Sequence, residues 1–422
     1  MKNRSALTLS AVVFLMAMLV APENASAVPA FARQTGMACA ACHFQHFPAL
    51  NDFGVMFKMN GYTMIGAQGK VEGKDLSLPD TLNASLVTKI RYQKTNGDSK
   101  TGTDKGELQF PDEGALLIGG RAGEHAGFLL ELQLPEGDES AVASFRMPIV
   151  YDLGGTALSV VPFTTDAGGA AYGFELLNTG AMRMQRVLED RNTTSAQQFV
   201  GTATDAQGLA LVAANGMGFV NATMWAPVHG NSDAGLKMSH YLRLAATPKV
   251  GAWSTGIGGQ YWGGKTKTGD TDLNPLDVYN TKAWAVDAQA QGGVGAFPLG
   301  LYLSYANASG DAGSTETILF NCRDTTGDGV CDTNNPNDKT AWSLLAELGV
   351  LPGKATVALG YRGGDNGRAA NSSSQAAVFG ATYSLAQNIV FQLNHTLYSG
   401  DAYDPKPVGG DQLTTLMIFA AF

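Results

Sequence analysis

Two cysteines and a histidine stand close together near the beginning of the chain, in the order Cys39-Ala40-Ala41-Cys42-His43. Two thiols separated by two residues can both reach the vinyl groups of a single haem, and the adjacent imidazole can then bind its iron. A thioredoxin-like redox pair is the alternative, but no βαβ pattern surrounds these cysteines. The spacing therefore predicts one covalently attached haem c, tethered by Cys39 and Cys42 and ligated by His43.

The sixth ligand of the iron is less closely defined. A methionine would raise the reduction potential, and a second histidine would lower it. A histidine three residues after His43 lies on the same helical face and would hardly reach the opposite side of the haem. We therefore favour methionine; the candidates are Met64, Met59 and Met56, followed by His46, with inward-facing histidines such as His125 as alternatives.

The first 27 residues have the pattern of a signal peptide. Lys2 and Arg4 precede an apolar stretch, residues 7–20, and Ala25-Ser26-Ala27 offers the small residues that signal peptidase requires. A membrane anchor is the alternative, but the stretch is short for one. We expect export and cleavage after Ala27.

The remaining two cysteines, Cys322 and Cys331, are expected to form a disulfide in an oxidising compartment. A four-cysteine zinc site is discounted because this pair lacks two-residue spacing. The acidic segment between them has the spacing of a calcium loop, although Asn335 replaces the usual glutamate at the twelfth position. The alternatives are a polar surface loop and, if metal binds, Fe(II) capture. The candidate calcium ligands are Asp324, Thr326, Asp328, Val330 and Asp332, with Gly329 at the sixth position.

Residues 81–422 have the composition and pattern of a membrane β-barrel. The chain of 422 residues contains 52 glycines, 9% aromatic and only 15% charged residues. Roughly sixteen segments of alternating polarity, such as residues 86–93, are separated by turn residues such as Gly123-Glu124-His125, Asn215-Gly216 and residues 351–354. An antiparallel transmembrane barrel of about sixteen strands is predicted, in contact with outer-membrane lipid. A soluble secreted β-protein is the alternative.

Three further observations complete this organisation. Residues 172–200 break the alternation and are expected to form an inserted loop or lumen helix. The apolar end of the chain, residues 416–422, finishes in Phe422, which resembles the assembly signal of outer-membrane barrels. The net charge of −9 gives no reason to expect nucleic acid as a partner.

Residues 28–80 form the segment that carries the haem motif, and they are too few to enclose a haem by themselves. We expect a short α-helical segment that lies in or at the barrel lumen and finds shelter for its haem there. The residues around the motif are Pro29-Ala30-Phe31-Ala32-Arg33-Gln34-Thr35-Gly36 before it, and Phe47-Pro48-Ala49-Leu50-Asn51, Phe53-Gly54, Phe57-Lys58 and Gly61-Tyr62-Thr63 after it.

This segment resembles the N-terminal signature of the outer-membrane fused monohaem cytochrome c–porin family of iron-oxidising bacteria. The resemblance covers nearly all of residues 29–65, with Val55 as a departure where the family usually carries arginine. If that arginine pairs with a haem propionate, its loss affects how the haem is seated. The resemblance implies a haem near the mouth or lumen of the barrel, oxidation of extracellular Fe(II), and transfer of the electrons to a periplasmic carrier, such as a c-type cytochrome.

Two alternatives to an inward Fe(II)-oxidising conduit stay open at this point. An electron conduit could serve another donor or run outward, since the sequence does not set the direction. A diffusion porin could instead use the haem segment as a plug, and inward-facing Lys89, Arg91 and Arg146 would then suit anion passage.

Overall fold

The structure, a computed structural model, describes residues 29–422 apart from residues 67, 75, 98–105, 134–139, 180–192, 194, 231–236, 269–276, 325–330 and 332. Within these residues, sixteen antiparallel strands close into one barrel, which confirms the predicted architecture. The strands are β1 (Ala84–Thr95), β2 (Glu107–Arg121), β3 (Gly127–Gln133), β4 (Val142–Arg146 and Ile149–Asp152), β5 (Ala157–Thr165), β6 (Ala206–Asn215), β7 (Gly218–Ala226), β8 (Ser239–Ala246 and Lys249–Val250), β9 (Trp253–Gly263), β10 (Ala283–Val294), β11 (Phe297–Ala308), β12 (Lys339–Leu351), β13 (Ala355–Asn366), β14 (Ser373–Ala386), β15 (Ile389–Ser399) and β16 (Gln412–Ala421).

Alternating side chains give each strand an outer and an inner face. In β10, Trp284 and Val286 are 43% and 47% exposed, whereas the neighbouring Ala283 and Ala285 are each 1% exposed. Apolar residues on the outer face suit contact with lipid. Leu86 of β1 is likewise on the outer face, and Lys89 is buried inside, as the sequence predicted.

The barrel closes where β1 pairs with β16, with Val87 opposite Ala421 and Thr95 opposite Leu413. The turns at one end are short, as between β6 and β7, where two residues connect the strands, and the connections at the other end are long. The predicted turns at residues 123–125, 215–216 and 351–354 all lie at the short-turn end. Barrels of the bacterial outer membrane have this shape, with the short turns on the periplasmic side, and this chain is placed in that membrane.

Two parts of the chain occupy the lumen. The N-terminal segment folds into α1 (Ala30–Thr35), α2 (Cys39–Cys42) and α3 (Asp52–Met59), followed by a hairpin of Lys70–Gly73 and Leu76–Pro79. The connection from β5 to β6 contains a 3-10 turn (Ala170–Gly173) and α4 (Ala196–Val200), whose residues are largely buried. We call residues 166–179 and 195–205 the inserted segment; they agree with the predicted interruption, although residues 180–192 lie outside the described residues.

The described helices are short, and none of them is long and apolar enough to cross a membrane. Two small sheets lie outside the barrel at the long-loop end. One consists of Lys265–Thr268, Asp277–Asn280 and Thr317–Ile318, and the other of Cys322–Arg323 and Thr333–Asn334. The predicted signal peptide, residues 1–27, lies outside the described residues.

Candidate functional site

A cavity of about 380 Å³ lies in the lumen next to the Cys39–His43 motif. Both cysteines and His43 line it, together with the start of β1 and the end of β16 at the short-turn end. The lining continues along the barrel wall to Asp166, which follows β5 at the long-loop end. The volume falls within the range of ordinary ligand and cofactor sites. The cysteine–histidine motif therefore opens into an internal cavity that extends along the lumen.

The motif is held in place by the residues that follow it in sequence. The Asn51 side chain donates to the carbonyl oxygens of Ala41 and Ala40, at 3.0 and 3.2 Å, and its backbone N–H donates to Cys42. The same side chain accepts from the Gly54 N–H and so caps the start of α3. A Cβ at Gly54 would lie 2.1 Å from the Cys42 oxygen. Glycine at this position therefore lets α3 pack directly against the motif.

His43 presents one ring nitrogen to the cavity side. Its Nδ1 lies 3.2 Å from the carbonyl oxygen of Ala49, so that Nδ1–H donates to that oxygen in the neutral ring and Nε2 keeps its lone pair. Burial lowers the pKa of His43 to about 4, with a smaller opposing effect from the Ala49 hydrogen bond. A neutral histidine whose second nitrogen is held by a carbonyl is the usual form of an iron- or zinc-binding imidazole.

The residues present fit a covalently attached haem. Cys39 and Cys42 are free thiols, and burial raises the pKa of both. The cavity has apolar walls, and two cationic side chains, Lys58 and Arg146, also line it. The Nε of Arg146 is buried without a hydrogen-bond partner among the described residues. A haem needs an apolar enclosure for its ring and cations for its propionates, and this cavity offers both.

The candidate sixth ligands lie elsewhere. Met56 is 43% exposed, Met59 packs against the inserted segment, and Met64 is half-buried with its carbonyl bonded to the Gln34 side chain. None of these three methionines lines the cavity, whereas Met37, which is not among the predicted ligands, does. The sixth ligand stays a prediction.

Both nitrogens of His46 have other partners. Its Nε2 lies 2.8 Å from Oε1 of Glu347, a buried residue of β12, and its Nδ1 lies 2.7 Å from the carbonyl oxygen of Phe47. Burial lowers the pKa of His46, but the Glu347 carboxylate more than offsets this, so that the pKa lies above its ordinary value. His46 thus fastens the haem segment to the barrel wall. His125 lies in the exposed turn after β2, stacked on Tyr151, away from the motif.

The inserted segment is fixed to the wall by a buried charge network. Arg243 of β8 donates to both carboxylate oxygens of Glu175 at 2.9 and 3.3 Å and to both of Asp287 at 2.7 and 2.9 Å. The inserted segment also contacts the haem segment, because Asn178 and Leu50 exchange hydrogen bonds of 2.8 and 3.0 Å. The two lumen segments therefore form one connected body.

The inserted segment could be predicted from the sequence, but this network and the role of Glu347 could not. The sequence does place charged residues such as Arg243 and Asp287 at inward-facing strand positions. Such charges are found both in water-filled channels and in packed lumens, so they do not predict a network. Val55, the departure from the family signature, packs against the apolar cluster around Phe174 and Phe219. An apolar side chain fits there.

In the acidic loop, Cys322 and Cys331 form a disulfide, with their Cα atoms 5.8 Å apart. Asp324 is exposed, and Asn335 at the twelfth position is buried with its amide donating to Asn321. The calcium candidates Thr326, Asp328, Val330 and Asp332 lie outside the described residues. In the part of the chain that the structure does describe, no group of three or more His, Cys, Asp or Glu side chains is placed to hold a metal ion.

No protein-family model and no curated protein matches the chain. Among solved structures it is similar to the outer-membrane channel DcaP of Acinetobacter baumannii, with 11% identity over 84% of this chain and 100% of that one and a TM-score of 0.48. It is also similar to a loop-deletion mutant of the outer-membrane protein OmpT of Vibrio cholerae, with 11% identity over 81% and 99% and a TM-score of 0.45. The third is the outer-membrane protein OpdK of Pseudomonas aeruginosa, with 14% identity over 80% and 98% and a TM-score of 0.42.

Proposed function

We propose that this outer-membrane barrel houses one haem c and carries electrons between the cell exterior and a periplasmic carrier. The observation that supports this most is the position of Cys39, Cys42 and His43 on an internal cavity at the periplasmic, short-turn end of the lumen. A bound haem would supply reversible one-electron exchange, for which no acid–base constellation is required. The protein would then contribute position, enclosure and the electrostatics of the cavity.

The chain's own residues suit these tasks. Ala49 orients His43 by accepting from its ring, and Asn51 holds the turn on which both cysteines lie. The inserted segment and the haem segment bond to each other across the lumen, through Asn178 and Leu50. Side chains packed in this way restrict the passage of solutes, while an electron needs no open channel.

We propose Fe(II) as the donor, and two observations favour a cationic one. Glu131 and Asp166 line the cavity between the haem motif and the long-loop end, and carboxylates in a cleft raise the local concentration of cations. The signature of residues 29–65 resembles that of Fe(II)-oxidising cytochrome–porins. Oxidation outside the cell also keeps insoluble Fe(III) out of it.

A diffusion porin is the second candidate. Barrels of sixteen strands are wide enough to leave an aqueous channel, and this one contains a cavity in its lumen. Two of the cations that the sequence suggested for anion passage have acidic partners, since Lys89 pairs with Glu113 and Arg91 with Asp112. An anion channel would have to work with those charges neutralised.

Proteoliposomes distinguish the two candidates. The haem-loaded protein is reconstituted into liposomes that contain an oxidised soluble c-type cytochrome, and Fe(II) is added outside. We expect reduction of the trapped cytochrome with wild type and with Cys322→Ser/Cys331→Ser, but not with Cys39→Ala/Cys42→Ala. Swelling in sugar solutions measures solute passage in the same vesicles. Rapid swelling without haem-dependent electron transfer would reject the conduit and establish the porin.

A further inference from the structure

Arg146 of β4 is a buried cation that lines the cavity, and none of the described carboxylates forms an ion pair with it. Its side chain is 7% exposed and lies between two tyrosine rings, with Cζ 4.7 Å from the ring centre of Tyr172 and 5.6 Å from that of Tyr62. Nη1 donates to the carbonyl oxygen of Tyr172 at 3.1 Å, and Nε has no hydrogen-bond partner in the described part of the chain. A buried guanidinium with an unused donor is costly unless an anion completes its bonding.

A second basic side chain lies on the same cavity. Lys58 of α3 lines it, and its Nζ donates to the backbone carbonyl of Glu175 at 2.5 Å. Burial and the charge of Arg146 lower the pKa of Lys58 well below its ordinary value. An anion beside Lys58 would offset both effects and favour its protonated form.

Two of the described carboxylates that line the cavity with Arg146 have other partners. Both oxygens of Glu175 accept from Arg243. Glu131 accepts from the Ser144 hydroxyl, which in turn accepts from Tyr172. Among the described residues, no ion pair joins Arg146 to a side chain. The Nε donor of Arg146 therefore leaves a place for an anionic ligand that the described residues do not fill.

We infer that Arg146 binds a propionate carboxylate of the haem, and that Lys58 lies at the same propionate-bearing edge of the ring. This inference rests on the proposed haem and names the residue that orients it from the barrel wall. Guanidinium and carboxylate match as a pair of parallel hydrogen bonds, and the flanking tyrosine rings prevent the guanidinium from turning away. Arg146 thereby couples the haem segment to the barrel.

The charge of Arg146 has a measurable consequence. A cation near the iron disfavours the oxidised form, which carries one more positive charge, and so raises the reduction potential. Removal of that charge would leave the propionate uncompensated and lower the potential. We expect about a tenfold fall in the ratio of reduced to oxidised haem at a fixed potential, equivalent to about 59 mV for a one-electron couple.

The test is a spectroelectrochemical titration of the full-length, haem-loaded protein and of three variants. Arg146→Gln should lower the potential, and Arg146→Lys, which keeps the charge, should restore most of it. Arg121→Gln is the control, because Arg121 is a half-buried arginine that bonds Ser77 and Thr63 and does not line the cavity. A potential in Arg146→Gln equal to that of wild type overturns the inference.

Two further measurements separate a folding defect and the absence of haem from a failure of the Arg146 inference. Circular dichroism shows whether Arg146→Gln folds. If it does not, Arg146→Lys is the deciding variant, and the haem propionate bending band in its resonance Raman spectrum should differ from that of wild type. Arg121→Gln should leave this band unchanged. An unchanged band in Arg146→Lys overturns the inference. The mass of the wild-type chain tests the proposed function separately, since a chain without haem refutes the haem itself and not only its partner.

Discussion

Replacement of Arg243 by methionine should destabilise the protein strongly and loosen the inserted segment. The side chain is 0% exposed and serves two carboxylates, Glu175 and Asp287, which are 3% and 0% exposed. Neutral donors remain, because Gln260 and Thr179 still donate to Asp287 at 2.8 and 2.9 Å. What is lost is the counter-charge of two buried anions, and breaking a buried pair in this way costs about 3–5 kcal/mol. We expect a loss of about 4 kcal/mol in the free energy of unfolding.

The assay is reversible urea unfolding in lipid vesicles, followed by tryptophan fluorescence, together with conductance in planar bilayers. Arg243→Met should unfold at lower urea and show ion conductance that wild type lacks, because the inserted segment loses its anchor. A triple variant with Glu175→Gln and Asp287→Asn removes the unpaired charges and should recover most of the stability. Lys249→Met, which breaks an exposed pair with Asp52, should cost at most about 1 kcal/mol. Equal unfolding of wild type and Arg243→Met would refute the anchoring role.

Three further predictions concern the haem segment. Gly54→Ala places a Cβ 2.1 Å from the Cys42 oxygen and should cost about 1–3 kcal/mol, seen as a lower yield of haem-loaded protein; a normal yield would contradict the packing. Asn51→Asp keeps the helix cap but loses the donations to the motif, so it should lower that yield less than Asn51→Ala does. The pKa of His46 lies above its ordinary value, so the stability from protonated His46 and Glu347 is complete below about pH 6.5 and is lost as pH rises through that raised pKa. The urea midpoint should therefore fall between about pH 6 and about pH 9, and less so in Glu347→Gln; equal slopes would contradict this.

The barrel could be predicted from the sequence because its signal is local. Each strand alternates residues such as Leu86 and Val87 between lipid and lumen, and the turns at residues 215–216 and 351–354 carry glycine, asparagine or proline. Alternation with turn residues is sufficient to give the strand number and to place the barrel in the outer membrane.

The filling of the lumen could not be predicted in the same way. Arg243 and Glu175 lie 68 positions apart, and His46 and Glu347 lie 301 apart, and no periodicity joins such pairs. An inward-facing charge in a strand is equally consistent with a water-filled channel and with a packed lumen. The pairing became visible only when the strands were placed around the inserted segment.

The haem segment lies between these two cases. The spacing of residues 39–43 predicts a haem attachment site, and the structure adds reasons for the neighbouring Asn51 and Gly54, which hold that turn. The methionines considered as sixth ligands were chosen by residue type alone, and type does not show which side chains face the cavity. For the same reason, the sequence suggested Arg146 only as a cation for anion passage, because its type does not show what it faces.

The central claim is that a haem is bonded to Cys39 and Cys42 inside this barrel, and intact-mass analysis of the exported protein tests it most directly. The protein would be produced in bacteria that attach haem c, with Cys39→Ala/Cys42→Ala produced in parallel. We expect the wild-type mass to exceed that of the bare chain by one haem, with an absorbance spectrum of haem c, and the variant to carry neither. A wild-type chain with the mass of the polypeptide alone would contradict the account and leave the diffusion porin as its replacement.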